Sequence, residues 1–202
     1  VKEALDSYRR ALAIESGYAD AHCNLGIALK ERGLHEEAIA CHDRALAIVP
    51  DFAAARHNRA LTELTLGRFE RAWADYLWRD GVDRSRTMRP TAPLPLDLRD
   101  RRFCVVRDQG LGDELFFLRF VPALRDRGAE IAYEPHPKLA ELLRGHPLLD
   151  RLHAATVGDE GFDSIVSVAD LPYLVGTVAT TDVPPPFILQ PTPARVERIR
   201  DR

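Results

Sequence analysis

Two glycines and two carboxylates lie close together in the stretch QGLGDELFF, which begins at Gln109. Gly110 and Gly112 are followed at once by Asp113 and Glu114. Glycine-rich loops that lead into a helix hold phosphates, and a carboxylate at such a place can act as a general base. The stretch therefore raises two chemical interpretations, a nucleotide-binding loop and a proton-abstracting loop.

The spacing argues against a dinucleotide-binding loop. The GxGxxG fingerprint needs a third glycine where this chain has Leu115, and an acidic residue directly after the second glycine would repel a pyrophosphate. A tight loop at the carboxyl end of a strand remains, and ligands bind at that edge of open α/β sheets. The alternative is that Asp113 only caps the helix that follows.

The pattern around this loop predicts alternating strands and helices. The run RFCVVRD is short and β-branched, DELFFLRFVPALRDRG has apolar residues at helical spacing, and AEIAYEP is again strand-like. A strand, a helix and a strand within about 35 residues predict a right-handed βαβ unit with parallel strands. We expect a further helix in PKLAELLRG, a buried strand in GFDSIVSVADLPYLVG and the start of a last helix in ARVERIRDR.

The amino-terminal part of the chain repeats itself with a period of 34 residues. Matching pairs at this offset are Ala11/Ala45, Leu12/Leu46, Ile14/Ile48, Ala19/Ala53, Ala21/Ala55, Asn24/Asn58, Gly33/Gly67 and Ala38/Ala72. The small residues Gly26 and Ala60 would allow two antiparallel helices to approach closely, and Gly33 and Gly67 suit the turn between them. Pro50 breaks the chain between repeats.

This pattern resembles the tetratricopeptide repeat, with NLGIALKERGLHEEAIACHDRALAIVP as its best copy. The resemblance implies that residues 1–82 hold about two and a half repeats, since the first stretch is the second half of a preceding repeat. The final copy, LTLGRFERAWADYLWRD, has Arg79 in place of a small residue. Because one repeat cannot bury its apolar face alone, we expect further repeats upstream.

The composition of residues 83–96 predicts a connector between two domains. The run RSRTMRPTAPLPLDLRDRR, which begins at Arg84, mixes prolines with charged residues and is typical of an extended segment. The expected organisation is therefore a helical repeat solenoid over 1–82 and an α/β domain over 97–202.

The tetratricopeptide resemblance implies a concave binding face lined by the first helix of each repeat. The residues expected on it are Cys23, Asn24, Ile27 and Lys30 in one repeat and His57, Asn58, Leu61 and Leu64 in the next. Stacked asparagine amides can hydrogen-bond an extended peptide, as in the similar asparagine ladder of O-GlcNAc transferase. The alternative is that each asparagine braces its own helix.

Four side chains of zinc-ligand type lie among the repeats, namely His22, Cys23, Cys41 and His42. Their spacing is not that of a known zinc finger, and the histidines lie where the repeat packs a large side chain, so we expect packing rather than a metal site. With Cys104 the chain has three cysteines and no CxxC pair, which favours a reducing, cytoplasmic environment.

The composition and the net charge limit the kinds of molecule that the chain is expected to bind. Of the 202 residues, 46% are hydrophobic and 29% are charged, which is enough to bury a real core. The 28 basic and 31 acidic residues give a formal charge of −3, which disfavours nucleic acid and anionic membranes. No apolar run approaches the roughly 20 residues that span a bilayer. The expected partner is a protein or an extended peptide, and the oligomeric state stays open.

A second resemblance covers residues 97–193. The runs QGLGDELFFLRFVPALRDRGAEI, LAELLRGHPLLDRL and VADLPYLVGTV resemble the amino-terminal half of the glycosyltransferase-like domain that follows tetratricopeptide repeats in many bacterial proteins. That domain is similar to the heptosyltransferases and more distantly to O-GlcNAc transferase. The resemblance implies half of a GT-B fold, in which two Rossmann-like halves bind the acceptor and the nucleotide-sugar donor respectively.

The same resemblance assigns roles to the loop. A Gly-Asp pair after the first strand of heptosyltransferases supplies the carboxylate proposed as general base, and the matching pair here makes Asp113 the candidate base. Gln109, Gly110, Gly112 and Glu114 would form the acceptor loop around it. The chain ends where the donor-binding half should begin, so we expect no cofactor in this chain, a nucleotide-sugar donor only in a longer parent protein, and no turnover from this chain alone.

Three functions follow as hypotheses. The first is a part of a glycosyltransferase-like enzyme whose repeats present a protein acceptor. The second is a non-catalytic repeat scaffold that mediates protein–protein interaction. The third is a small-molecule binding module that uses the loop from Gly110 to Glu114.

Overall fold

The computed structural model of this chain describes residues 2–108, 110–153 and 161–188. These residues form two compact units. The helical unit contains residues up to 80 together with 177–182, and the α/β unit contains residues 81–176 together with the described residues from 183 onward. The fold class predicted from the sequence, a tetratricopeptide-type helical region followed by a partial α/β domain, is confirmed.

Five helices build the helical unit. They are α1 (Lys2–Ile14), α2 (Ala19–Glu31), α3 (His35–Ile48), α4 (Ala53–Thr65) and α5 (Phe69–Tyr76). Each helix packs against the next one along the chain, as the 34-residue period predicts. Gly33 and Gly67 have φ angles of +75° and +73°, so the two turns use the left-handed conformation that glycine adopts most readily.

The helices α2 and α3 approach most closely at Gly26. The ring of His42 lies against this glycine, and a Cβ atom placed on Gly26 would stand only 2.6 Å from its Cε1 atom. His42 is completely buried. The small residue predicted at this contact is therefore required by the histidine that packs on it.

The final copy is shorter than its sequence pattern predicts. Helix α5 ends at Tyr76, while the equivalent helix α3 continues to Ile48. Ala45 is fully buried in α3, and Arg79 holds the equivalent position after α5. The Arg79 guanidinium instead lies over the Tyr76 ring, 4.9 Å from its centroid, and donates to the Tyr76 carbonyl. A long cation cannot replace a methyl group between two helices, so the chain leaves the helix there.

The α/β unit is built on four parallel strands. They are β1 (Arg102–Val106), β2 (Glu130–Glu134), β3 (Arg151–Leu152) and β4 (Ser164–Ser167), in the sheet order β3-β2-β1-β4. Strands β1 and β2 are buried after their first residue, as expected for a parallel sheet with both faces covered. The βαβ unit and the buried fourth strand agree with the sequence pattern, whereas the two-residue strand β3 was not predicted.

The helices of this unit are short. The segment between β1 and β2 forms α6 (Leu111–Phe117), a 3₁₀ turn (Leu118–Phe120) and α7 (Val121–Asp126). The sequence predicts one continuous helix here, and Pro122 explains the difference because a proline ring removes the backbone hydrogen bond to the residue four positions earlier. Helices α8 (Pro137–Leu143) and α9 (Leu171–Val175) follow β2 and β4. The helix expected in ARVERIRDR lies outside the described residues.

The segment predicted as an extended connector, residues 83–96, belongs to the α/β unit and packs against its other residues. Arg84 and Arg86 form ion pairs with Asp170 and Glu134, both with N–O distances of 2.7 Å. The Leu94 amide donates to the Leu174 carbonyl at 2.8 Å. Prolines and charges do predict an extended backbone, but they do not exclude such contacts.

Among the described helices, none combines the length and the apolar composition that a membrane span requires.

Candidate functional site

The carboxyl ends of three strands meet at a polar cavity of about 220 Å³ in the α/β unit. The last residues of β1, β2 and β4, Val106, Glu134 and Ser167, all line it. Strand β1 has β2 on one side and β4 on the other, so the strand order reverses at β1. Ligands of open α/β sheets bind at such a switch point.

Charged groups of both signs line this cavity. Its lining comprises Gly81, Val82, Asp83, Arg86, Thr87, Val106, Arg107, Asp108, Glu134 and Ser167. The Arg86 guanidinium pairs with the nearly buried Glu134 carboxylate, and the Ser167 hydroxyl donates to Asp108 Oδ2 at 2.7 Å. The Arg86 cation has its own pKa raised, first by the hydrogen bond to Glu134. Such a lining offers hydrogen-bond donors and acceptors together, which suits a polar, uncharged ligand better than an ion of one sign.

Asp113, the candidate general base, lies in the first turn of α6 on the carboxyl side of β1. Helix α6 begins after Gly110, whose backbone is extended at φ −70° and ψ 162°. Asp113 is exposed, and its Oδ2 atom would stand 3.6 Å from a Cβ atom on Gly110, so the carboxylate turns back toward the loop. Gly112 is exposed and borders open space among the described residues. Gln109, predicted for the same loop, lies outside the described residues.

The capping alternative for Asp113 does not match the start of α6. Gly110 holds the N-cap position, and among the described residues no side chain caps this helix. Asp113 is the third helical residue, where a carboxylate still interacts favourably with the positive end of the helix. The Asp113 carboxylate is thus free of a capping role and can contact a ligand.

Glu114 corrects the prediction for the acceptor loop. Its side chain is completely buried, and its Oε1 atom accepts hydrogen bonds from the Tyr133 hydroxyl at 2.7 Å and the His136 amide at 2.9 Å. Burial, with the Glu114 charge second, raises the pKa of Tyr133 well above its ordinary value. Glu114 therefore ties the first turn of α6 to the end of β2 and does not present its carboxylate to a ligand.

In the helical unit, the residues predicted for one binding face differ in how far they are buried. Asn24 is exposed, whereas Lys30, His57, Asn58, Leu61 and Leu64 are half-buried. Cys23 is 97% buried, in a cluster with Ala45 and Ala55 against which Ile27 packs. The prediction that Cys23 lines the groove is therefore wrong, because its thiol belongs to the contact between helices. Burial, with Asp20 second, also raises the pKa of Cys23 to about 11, so the thiol stays protonated.

The two asparagines are not equivalent. The Asn58 side-chain amide donates to the Ala54 carbonyl at 2.9 Å, one turn earlier in α4, which is the bracing role considered as the alternative. Asn24 is the more exposed of the pair and lies on α2. Its amide is the better candidate for hydrogen bonds to an extended peptide.

Two cationic side chains act on the charge state of His57. Its ring meets the Tyr76 ring edge-on, with centroids 5.7 Å apart. Burial lowers the pKa of His57, and the Arg79 and Lys30 cations lower it further while Asp80 opposes them. A neutral His57 can both donate and accept a hydrogen bond, which suits contact with peptide amides.

His22 and His42 have packing contacts inside the helical unit. His22 Nε2 lies 2.9 Å from the Ser16 carbonyl oxygen, and the His42 ring fills the space beside Gly26. Burial lowers the pKa of His42 to about 4, with the Lys30 and Arg59 cations adding to the effect. His42 is therefore held neutral inside the helical unit.

We expect acid to destabilise the helical unit through His42. The folded-state pKa is about 4 and the ordinary value is 6.5. Below pH 6.5 the unfolded chain binds a proton at His42 that the folded chain does not bind. The free energy of unfolding is therefore highest above pH 6.5 and decreases as the pH falls toward 4. At about pH 5 the loss amounts to about 2 kcal/mol. Chemical denaturation at a series of pH values measures it.

The repeat itself supplies the control for this titration. Tyr8 and Tyr76 hold the positions equivalent to His42, so His42→Tyr keeps an aromatic ring and removes the titrating group. We expect the free energy of unfolding of this variant to vary less with pH between about 7.5 and 5. An unchanged pH dependence in His42→Tyr would show that other groups cause the acid sensitivity.

Sequence reasoning missed most of the cavity. Arg107 and Asp108 are the last two residues of the predicted strand RFCVVRD, so the rule that ligands bind at carboxyl ends could have found them. Glu134 and Ser167 end predicted strands and were open to the same argument. Arg86 gave no such signal, because its partner Glu134 lies 48 residues away in the chain.

Family models match the amino-terminal part of the chain, and one relative matches nearly all of it. Residues 19–52 match the family model described as tetratricopeptide repeat, and residues 1–33 match a second model described as TPR repeat. Protein FlbA of Caulobacter vibrioides is 28% identical over 256 aligned positions, which cover 96% of this chain and 42% of FlbA. The chain thus spans less than half the length of that relative.

Among solved structures, a mutant O-GlcNAc transferase of Thermobaculum terrenum is 26% identical to this chain. The superposition covers 75% of this chain and 31% of that one, with a TM-score of 0.36. The repeat matches, the 34-residue period and the sequential packing of α1 to α5 agree with one another. The helical unit therefore contains tetratricopeptide repeats, which the family models match over residues 1–52.

Proposed function

We propose that this chain is part of a glycosyltransferase-like protein, in which the repeats bind a protein or peptide partner and the α/β unit forms the acceptor side of a transferase cleft. Asp113 acts in this proposal as the general base toward the acceptor hydroxyl. The observation that carries it is the exposed Asp113 carboxylate in the first turn after β1, in a parallel sheet whose strand order reverses at that strand.

The geometry of the α/β unit supports the acceptor side. A general base must reach the proton that it removes, and an exposed carboxylate turned toward an open glycine loop satisfies this condition. Glu114 beside it is anchored by two hydrogen bonds, so the first turn of α6 is fixed relative to β2. The cavity with Arg86, Asp108 and Ser167 lies at the same carboxyl edge of the sheet and offers the mixed donors and acceptors that hydroxyl groups need.

A transfer assay on the longer protein tests this proposal. The protein would be incubated with nucleotide sugars of several kinds and with candidate protein acceptors, and the release of nucleoside diphosphate would be measured. We expect release that depends on the acceptor. Acceptor-independent hydrolysis alone, or no release with any donor, would contradict a transferase role.

The second candidate function is a non-catalytic scaffold that binds proteins through its repeats. Tetratricopeptide repeats support this class directly, and it requires no chemistry at Asp113. The transfer assay separates the two candidates, because a scaffold binds its partner without consuming a donor. In both proposals Asn24 on α2 and His57 and Leu61 on α4 contact the partner; Asn24 is exposed and the other two are half-buried.

The two asparagines give a test of partner binding. We expect Asn24→Ala to weaken binding of an extended peptide by about 0.5 to 1.5 kcal/mol without changing the melting temperature, since it removes an exposed amide. Asn58→Ala should instead lower the stability by a similar amount, because its amide bonds within α4. Calorimetric titration with the peptide and thermal unfolding of each variant measure the two effects. Equal losses of stability in both variants would assign both asparagines to bracing.

A further inference from the structure

Part of the core between α4 and α5 is polar at positions where the preceding repeat is apolar, beside the buried Ala72, Trp73 and Tyr76 of α5. One buried cluster in the helical unit consists of Leu5, Leu25, Ala28, Leu29, Ala38 and Cys41. The residues 34 positions later are Ile39, Arg59, Thr62, Glu63, Ala72 and Asp75. Except for Arg59, whose side chain is 12% exposed, these equivalents are buried as well. Three apolar positions have thus become charged while staying inside the structure.

Arginine 59 is the centre of the ion pairing in this polar core. Its guanidinium binds Asp75 through two nitrogens, Nε to Oδ2 at 2.6 Å and Nη2 to Oδ1 at 3.0 Å. Its third nitrogen donates to Asp43 Oδ1 at 2.6 Å. Arg59 therefore joins α4 to α5 on one side and to α3 on the other.

A second set of pairs surrounds Glu63. The Glu63 carboxylate, 3% exposed, pairs with Arg71 of α5, and Arg68 Nη1 lies 3.8 Å from it. Arg56 Nη1 also reaches Asp75 Oδ1 at 3.3 Å. The buried carboxylates of Asp75 and Glu63 are thus paired with arginine side chains, and the pairing depends on how α4 and α5 pack together.

Such a core differs physically from an apolar one. Apolar contacts lose their energy gradually as surfaces move apart, whereas a buried charge that loses its partner is strongly destabilised. Pairs of buried charges also contribute less net stability than apolar side chains of similar volume. A repeat held by ion pairs should therefore separate at lower cost, and in one step, compared with its apolar neighbour.

We propose that α5 is a separately opening element, held on α4 by the Arg59 and Glu63 ion pairs, while α2 and α3 stay closed on their apolar core. The opening changes the surroundings of His57, a residue of the proposed partner-binding face, because the Tyr76 ring of α5 meets the His57 ring of α4 edge-on. A partner that contacts His57 would in turn favour the closed state. This inference holds for the helical unit whether or not the longer protein is a transferase.

The preceding repeat supplies the test variant. Arg59→Leu, Glu63→Leu and Asp75→Cys together install the residues that α2 and α3 carry at positions 25, 29 and 41. The triple variant removes both buried carboxylates and the central cation, and it leaves Asp43 and Arg71, whose side chains are 43% and 47% exposed. Arg59→Leu alone is the matched control, because it leaves Asp75 buried with its main partner removed.

Hydrogen exchange of the full chain, read over residues 69–76 and over 19–31, measures the opening of α5 and of α2 separately. We expect wild-type α5 to exchange at least about tenfold faster than α2. Arg59→Leu should accelerate α5 by about a hundredfold and leave α2 unchanged, and the triple variant should return α5 to the wild-type rate or below it. Equal acceleration of α2 and α5 in Arg59→Leu, or a triple variant that exchanges as fast as Arg59→Leu, would overturn the proposal.

Discussion

Gly26→Leu is expected to destabilise the helical unit by about 3 kcal/mol, near the upper end of overpacking effects. The first side-chain atom alone would stand 2.6 to 2.9 Å from three atoms of the His42 ring. That ring is completely buried and cannot turn away into solvent. The two helices would have to separate, so the apolar contacts between α2 and α3 would be lost along with the local fit. Urea denaturation of the chain measures the change in the free energy of unfolding.

Lys30→Ala is the control on the same helix. Lys30 lies one turn beyond Gly26 and is half-buried, so its truncation should change the stability by less than about 0.5 kcal/mol. A Gly26→Leu variant that unfolds at the same denaturant concentration as Lys30→Ala would show that α2 and α3 do not meet at Gly26.

The 34-residue period was sufficient to predict the helices of the first unit, because each repeat must bury the same positions. It was not sufficient to predict their faces. Consecutive residues of a helix are separated by about 100°, so Cys23 and Asn24 cannot both face one groove. Cys23 turns into the contact between helices and Asn24 turns out.

The same geometry explains the error at the glycine loop. Asp113 and Glu114 are neighbours in the sequence and were both assigned to the acceptor loop. Once α6 begins at Leu111, the two side chains point about 100° apart around the helix, and Glu114 is the buried one. At this buried position the Tyr133 hydroxyl and the His136 amide, about 20 residues later in the chain, donate hydrogen bonds to one of the Glu114 carboxylate oxygens.

Contacts between distant segments could not be predicted from either pattern. Arg84 and Asp170 are 86 residues apart in the sequence, and the proline-rich composition around Arg84 indicates only an extended backbone. The polar core of the last repeat was visible in the sequence as Arg59, Glu63 and Asp75 at positions where the preceding copy has Leu25, Leu29 and Cys41. The structure adds that these three charged residues are largely buried and form ion pairs.

Asp113→Asn is expected to lower transfer by the longer protein by about 10² to 10⁴-fold. The amide has nearly the shape of the carboxylate but cannot accept the acceptor's proton. Because Asp113 is exposed and no side chain among the described residues caps α6, the substitution should barely change the melting temperature. Asp113→Ala should behave like Asp113→Asn in both respects, since the side chain has no capping role to lose.

The ratio of turnover between wild type and Asp113→Asn, measured on the longer protein under saturating donor and acceptor, tests the central claim most directly. The paired measurement is the melting temperature of the same two samples. The proposed role predicts a loss of at least about 100-fold in turnover at an unchanged melting temperature. Full activity in a well-folded Asp113→Asn variant would contradict it, and the loop from Gly110 to Glu114 would then only connect β1 to α6.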